Sequence, residues 1–384
     1  MSAAPGLYVH VPFCRTKCPY CAFASTTERS AIPRWLAALE REAERRASLL
    51  TGFDTLYIGG GTPSSLPDET LAELLSSLRH TLAFADEREV TVEVNPGDLD
   101  PGRAAWLRTL EVNRISLGVQ SLDDGELRML GRRHDARQAR EAVGTLRAAG
   151  FTNLSIDLIG GLPGQDVPSR LASARGAVEL GPDHLSCYEL TIEAGTPLAR
   201  AVARGELTLP DEDRLAEGAV AVADLLAQHG YVQYEVSNYA RSAAHRCEHN
   251  LKYWRHVPYV GLGPAAHSFD GAERWWNLRS PTAYADQLLQ GSSAVEGRER
   301  LSDEQLRVER LGLGLRTADG VAVAHLGPEP QWRQLVAQLV NEGLVLLADG
   351  RLKPTANGLW VADGLAKALL VVTAPASPPV PAPG

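Results

Sequence analysis

The sequence predicts an α/β fold: a partial (β/α)6 TIM-like barrel followed by a smaller winged-helix-like α+β module. Three observations point to it. From residue 6 onward, short apolar or β-branched runs alternate with longer amphipathic stretches, the pattern of βα units around a parallel sheet. The chemically distinctive segments fall just after those runs, where parallel-sheet enzymes place their ligands. Beyond residue 300 the pattern changes to helix, hairpin and helix.

Six runs are expected as strands: Leu7–Val11, Thr55–Ile58, Glu89–Val94, Arg114–Leu117, Asn153–Ile159 and His184–Leu190, each followed by Gly, Pro or polar residues. Helical periodicity occupies Ile32–Leu49, Pro67–Thr81, Ala136–Ala149 and Pro210–His229. A short strand at Tyr231–Val236 closes a barrel domain of residues 1–236. Residues 237–300, rich in aromatics and histidine, read as a connecting region. Residues 301–371 form the second module, with a helix at Gln331–Glu342, a hairpin at Leu344–Lys353 turning at Asp349-Gly350, and a further helix from Pro354. Residues 372–384 are Pro- and Ala-rich and are expected to be disordered.

A chain of 384 residues with 44% hydrophobic content can bury a sizeable core. Its 38 basic and 47 acidic residues give a formal charge of −9, which offers nucleic acid no basic face. The winged-helix pattern suggests DNA, yet residues 301–370 hold seven basic against eight acidic side chains, too few cations for a phosphate backbone. No apolar run reaches the roughly 20 residues of a membrane-spanning helix; peripheral membrane contact stays open. Five cysteines are an odd number, and no secretory segment precedes the first three, so a reduced, cytoplasmic setting is expected.

Three of those cysteines, Cys14, Cys18 and Cys21, crowd the loop after the first strand with three and then two residues between them. Thiolates so spaced can hold three corners of a 4Fe-4S cubane. The fourth iron is then open to the amino and carboxylate groups of S-adenosylmethionine, to whose sulfonium it can pass an electron. Zinc would need a fourth ligand; Cys187 and Cys247 are distant in sequence, although His10 is near. Cys187 reads as a small packing residue.

Polar groups recur at successive strand ends. Gly59-Gly60-Gly61-Thr62 follows the second strand, where glycines let backbone approach a ligand. Glu93 ends the third in VEVNP, Gln120 follows the fourth, Arg132 lies in LGRRHD, and Asp157 and Ile159 occupy the fifth. Asp157 can hold ribose hydroxyls, Gln120 can offer amide hydrogen bonds, Arg132 can pair with a carboxylate, and Ile159 can cover adenine. The plainer alternatives are a surface charge for Arg132 or Arg133 and an acceptor of nearby backbone for Glu93.

The cysteine spacing resembles that of the radical S-adenosylmethionine superfamily. The resemblance implies that Tyr20 packs near the adenine, that Gly60, Gly61 and Thr62 receive the methionyl ammonium, and that Tyr8 joins Glu93 and the other strand-end residues around the cofactor. The segments HVPFCRTKCPYC, YIGGGTPS, NRISLGVQS, DLIGGLPGQ, HLSCYELTIEAGTPL and YEVSNYA extend it to the oxygen-independent coproporphyrinogen III oxidases of the HemN type and their relatives.

Two features favour the HemW-type heme chaperones among those relatives. HemN-type oxidases carry a fourth cysteine two residues after the third, where Phe23 stands here, and a longer N-terminal arm than the thirteen residues before Cys14. HNLKYW, with His249, Asn250, Tyr253 and Trp254, resembles the HNxxYW signature of the chaperones. His249, Tyr253 and Trp254 are thus heme candidates, since imidazole ligates heme iron and aromatics suit a flat macrocycle. A hydrogen-bonded packing histidine is the plain alternative, and His245 and Cys247 are other possible ligands. The resemblance implies heme as cargo, delivered to an apo-hemoprotein acceptor such as a respiratory one. The alternative is radical decarboxylation of porphyrinogen propionates.

Overall fold

Strict alternation of residue type builds the larger of two units. In the computed structural model, which describes residues 3–373, β1 (Gly6–Val11), β2 (Phe53–Gly60), β3 (Phe84–Val94), β4 (Arg114–Gln120), β5 (Leu154–Gly160) and β6 (His184–Glu189) pair in parallel in that order. They are the six strands expected, with ends moved by a few residues. Val9, Ile58, Val92, Leu117 and Ile156 point one way and share a core with Trp35, Leu39, Leu74 and Leu146 of the surrounding helices. The residues between them point the other way and are polar. Across the inner face the Tyr57 hydroxyl donates to Glu93, that of Ser116 to Asp157, and Ser155 bonds His184. A register slip of one residue would exchange these two faces, so the pattern specifies the pairing.

The helices between strands start on local signals. Asp135 and Asp166 each cap a helix in a reciprocal capping box, with Gln138 and Ser169 as partners. The helix Ile32–Arg46 carries Pro33 in its first turn and a buried acid, Glu42. That carboxylate accepts from the Gly263 amide, the Asn277 side chain and the Tyr284 hydroxyl, tying the helix to the far edge of the sheet.

Residues 237–300 correct the expectation of a connecting region. β7 (Val232–Gln233) and β8 (Asn238–Ala240) add antiparallel strands beyond β6. β9 (Tyr259–Leu262) pairs in parallel with the free edge of β1, and β10 (His267–Phe269), β11 (Glu273–Asn277) and β12 (Val295–Arg300) continue antiparallel, completing a twelve-stranded sheet. The physical reason is the open edge of β1, whose unpaired backbone groups need partners. The strand expected at Tyr231–Val236 is shorter, because Tyr234–Val236 belongs to the second unit, where the Val236 amide donates to the Arg316 carbonyl.

That second unit comprises Tyr234–Val236, Trp254–His256 and the chain from Leu301. Its helix Asp303–Gly314 begins in a Ser302/Gln305 capping box. β13 (Val321–Ala322), β14 (Val345–Ala348) and β15 (Arg351–Pro354) form a three-stranded antiparallel sheet with β15 in the centre. The expected hairpin turns at Asp349 and Gly350, both at positive φ, as a two-residue primed turn requires. The helices Glu329–Asn341 and Ala362–Val372 pack Trp332, Val336 and Leu369 against Leu311 and Leu352. Of the tail expected from residue 372, residues 374–384 lie outside the described residues. No helix among the described residues is long and apolar enough to cross a membrane.

Candidate functional site

The loop after β1 is drawn over the C-terminal strand ends by its own backbone. The Cys14 amide donates to the Thr26 carbonyl at 3.0 Å and the Thr26 amide returns to Pro12 at 2.7 Å, while Phe13 packs edge-on against Trp35. Cys14, Cys18 and Cys21 thereby line one wall of a cavity of about 420 Å3. Burial pushes the Cys14 and Cys21 thiols up. The Thr62 hydroxyl donates to Cys14 Sγ at 3.4 Å, and the Arg132 guanidinium lies 3.7 Å from Cys18 Sγ. Gly61 closes the back of this wall: a Cβ there would stand 2.9 Å from the Val11 and Phe13 carbonyls and 3.1 Å from Cys14 Sγ.

The opposite wall is acidic and deep. Glu93 is held by the Tyr57 hydroxyl at 3.0 Å and the Gly60 amide at 3.1 Å. Burial first, and the Asp157 charge second, push its carboxyl up to about 7. Asp157 accepts from Ser116 at 2.9 Å and from Ser155 at 3.2 Å, yet burial still raises it. Gln120 sits at φ +71° after a bulge between Gly118 and Gln120 in the pairing with β5. A non-glycine residue in that region and a bulge that re-aims a side chain both mark positions held for a purpose. Arg132 spans from the Gly118 carbonyl at 2.8 Å to the Tyr20 hydroxyl at 3.5 Å, and its buried Nε has no hydrogen-bond partner among the described residues. Ile159 completes the lining, and Phe23, 65% exposed, stands on the rim.

These residues fit an iron–sulfur cluster with S-adenosylmethionine. Three thiols face one cavity, Gly61 leaves a space that a Cβ would fill, and Arg132 offers a buried donor for an anionic group.

Tyr8 is the one residue of the expected cofactor set that does not line the cavity. Its ring lies 6.2 Å behind that of Tyr57, its hydroxyl meets His10 Nδ1 at 3.1 Å, and it does not reach the cavity wall. Tyr57, which does, was missing from the expected set. It lies two residues before the glycine run and on the same strand face as Gly59, a position that alternation alone does not separate from a core aromatic.

The HNLKYW helix, Glu248–Trp254, places the expected heme ligand in the interior of the barrel unit. His249 is fully buried, with Thr55 Oγ1 2.9 Å from Nδ1 and Tyr253 Oη 2.8 Å from Nε2. Both ring nitrogens are thus committed, and burial lowers the imidazole to about 3. The Glu89 carboxylate accepts the Glu248 and His249 amides, and Lys252 bonds the Ala4 carbonyl and Asp54. Residues 248–253 pack against the end of the barrel opposite the cysteines, where His249 and Tyr253 are hydrogen-bonded to each other. Cys247 is fully buried and lies 3.5 Å from Glu89, and His245 bonds Ser242.

Comparison with known proteins agrees with this geometry. Residues 8–175 match the Radical SAM superfamily. The chain is 39% identical to the heme chaperone HemW of Mycobacterium tuberculosis strain H37Rv over 95% of its own length and 94% of that protein's. It is 35% identical to the HemW of a Synechocystis strain over 83% and 79%. Its fold superimposes on the coproporphyrinogen III oxidase HemN of Escherichia coli with a TM-score of 0.80 at 25% identity, covering 96% of this chain and 90% of that one.

Proposed function

Because this chain belongs to the HemW family of radical SAM proteins, we propose that it is a heme chaperone that binds heme and passes it to an apo-hemoprotein. The observation that carries the reading is the likeness, along nearly the whole of both chains, to proteins named for that activity. Phe23, where HemN-type oxidases carry a fourth cysteine, supports it over porphyrinogen decarboxylation.

In this reading Cys14, Cys18 and Cys21 hold the cluster. When bound, the cluster and S-adenosylmethionine supply one-electron reduction at the sulfonium. Gly60, Gly61 and Thr62 present backbone to the methionyl ammonium, with Glu93 behind them as the compensating charge. Arg132 takes the methionyl carboxylate through its unpartnered Nε. Asp157, steadied by Ser116 and Ser155, accepts the ribose hydroxyls, Gln120 adds amide hydrogen bonds, and Tyr20 and Ile159 flank the adenine. The acceptor is a hemoprotein, with a respiratory one the first to test. The five free thiols support a cytoplasmic setting.

The test is transfer: heme-loaded protein is mixed with an apo-hemoprotein and the acceptor's Soret band is followed. Acceptor reconstitution faster than from free heme supports the reading. No transfer, together with decarboxylation of coproporphyrinogen III under reducing anaerobic conditions, replaces it with the oxidase.

A further inference from the structure

HNLKYW is divided between the two units: His249 and Tyr253 belong to the barrel unit and Trp254 to the second. Within the second unit Trp254 lines an open cavity of about 540 Å3, in the range of roughly 300–1,000 Å3 typical of cofactor sites. The module carries no net positive charge, but its cations gather here: Arg310, Arg351 and Lys353 line the cavity together with Arg255. Among the described lining residues Asp319 is the one carboxylate, and Arg255 holds it at 2.8 Å; Lys353 meets the exposed Asp349, outside the lining, at 3.0 Å.

Two histidines face the same space and differ in what holds them. His256 Nε2 lies 3.1 Å from Glu309. His325 ends the short turn Val323–His325, partly exposed, and among the described residues no hydrogen bond or ion pair engages its ring. Its ring nitrogens are therefore left to a ligand that enters the cavity. Arg351 is fixed in place by the Asp319 and Gly320 carbonyls at 2.8 and 2.6 Å. Gly320 is at positive φ, where a Cβ would overlap the Leu352 carbonyl.

We propose that heme docks in this cavity, with His325 ligating the iron, Trp254 covering a porphyrin face, and Arg310 and Lys353 pairing with the propionates. The proposal rests on the heme-chaperone reading and supplies the site that His249 does not. An imidazole with no partner among the described residues, a flat aromatic wall and two cations match the three chemical parts of heme: metal, macrocycle and carboxylates. An open cavity also suits cargo that must leave again.

The test titrates ferric heme into the full-length protein, read by Soret absorbance and by electron paramagnetic resonance of the axial ligand. His325→Ala is expected to lose the imidazole signature and to weaken binding at least roughly tenfold. Arg310→Glu is expected to keep the signature and weaken ferric heme roughly tenfold or more, while binding of the heme dimethyl ester, which lacks the carboxylates, is spared. An imidazole signature unchanged in His325→Ala overturns the site and leaves the chaperone reading standing. No saturable heme binding by the unaltered protein overturns both. Should His325→Ala fail to fold, equal losses for heme and its dimethyl ester in Arg310→Glu overturn the site.

Discussion

The Gly60 amide donates to Glu93 Oε2 across 3.1 Å, joining the glycine turn after β2 to the end of β3. The same carboxylate takes the Tyr57 hydroxyl on its other oxygen. A buried acid with two donors and a neighbouring acid is poised between protonation states, and its partners, one backbone amide and one tyrosine hydroxyl, both line the cavity.

This makes Glu93 a source of pH-dependent stability in the cofactor-free protein. Its folded value of about 7 lies above the ordinary 4.5, so its contribution is complete below 4.5 and is lost as pH rises through 7. The loss amounts to roughly 3 kcal/mol. Thermal melts at about pH 5 and about pH 8 should show a larger drop for the unaltered protein than for Glu93→Gln; identical drops would refute the assignment.

Cys18→Ala removes one corner of the cluster site. Anaerobic reconstitution should then yield less iron and sulfide per chain and lose the visible absorbance of a 4Fe-4S centre, with far-ultraviolet circular dichroism unchanged. Iron and sulfide at the level of the unaltered protein would mean that the cluster lies elsewhere.

Asp157→Asn keeps the shape of the cavity floor and removes its charge. Binding of S-adenosylmethionine to the cluster-loaded protein should weaken roughly tenfold, while the iron content stays as it was. Equal affinity in equilibrium dialysis would remove Asp157 from the cofactor contacts.

His249→Ala should act on stability, since it leaves Thr55 and Tyr253 without their buried partner. The expected cost is about 2–4 kcal/mol, read from denaturant unfolding. Because the folded imidazole is lowered to about 3 from 6.5, the histidine contributes above pH 6.5 and is lost progressively as pH falls toward 3. The variant should therefore lose less stability on acidification, and its heme spectrum should match that of the unaltered protein. A changed axial ligand would restore His249 as a heme contact.

The six parallel strands were legible because each apolar run ends at Gly, Pro or a polar cluster and a long amphipathic helix separates it from the next. β8 to β12 were not, because several span only three or four residues and their pairing is decided by the open edges of β1 and β6, which local sequence does not encode. In the cavity, Cys14, Glu93, Gln120 and Asp157 could be read from their places at strand ends. Tyr57 could not be told from a core aromatic, nor Tyr8 from a cavity residue, since which layer a ring occupies depends on its neighbour's size. His249 shows the same limit: its residue type suits iron, and only the positions of Thr55 and Tyr253 reveal that both nitrogens are taken. His325 and Arg310 stand in no motif and meet Trp254 only through folding.

The plug formed by residues 248–253 closes the strand-start end of the barrel. A small reductant or dioxygen arriving from solvent reaches Cys14, Cys18 and Cys21 past the rim that carries Lys17 and Phe23, because the axial route from the other end meets Glu89, His249 and Lys252 packed shut. The approach to the three thiols is thus shaped by a short, surface-borne segment rather than by the strands behind it.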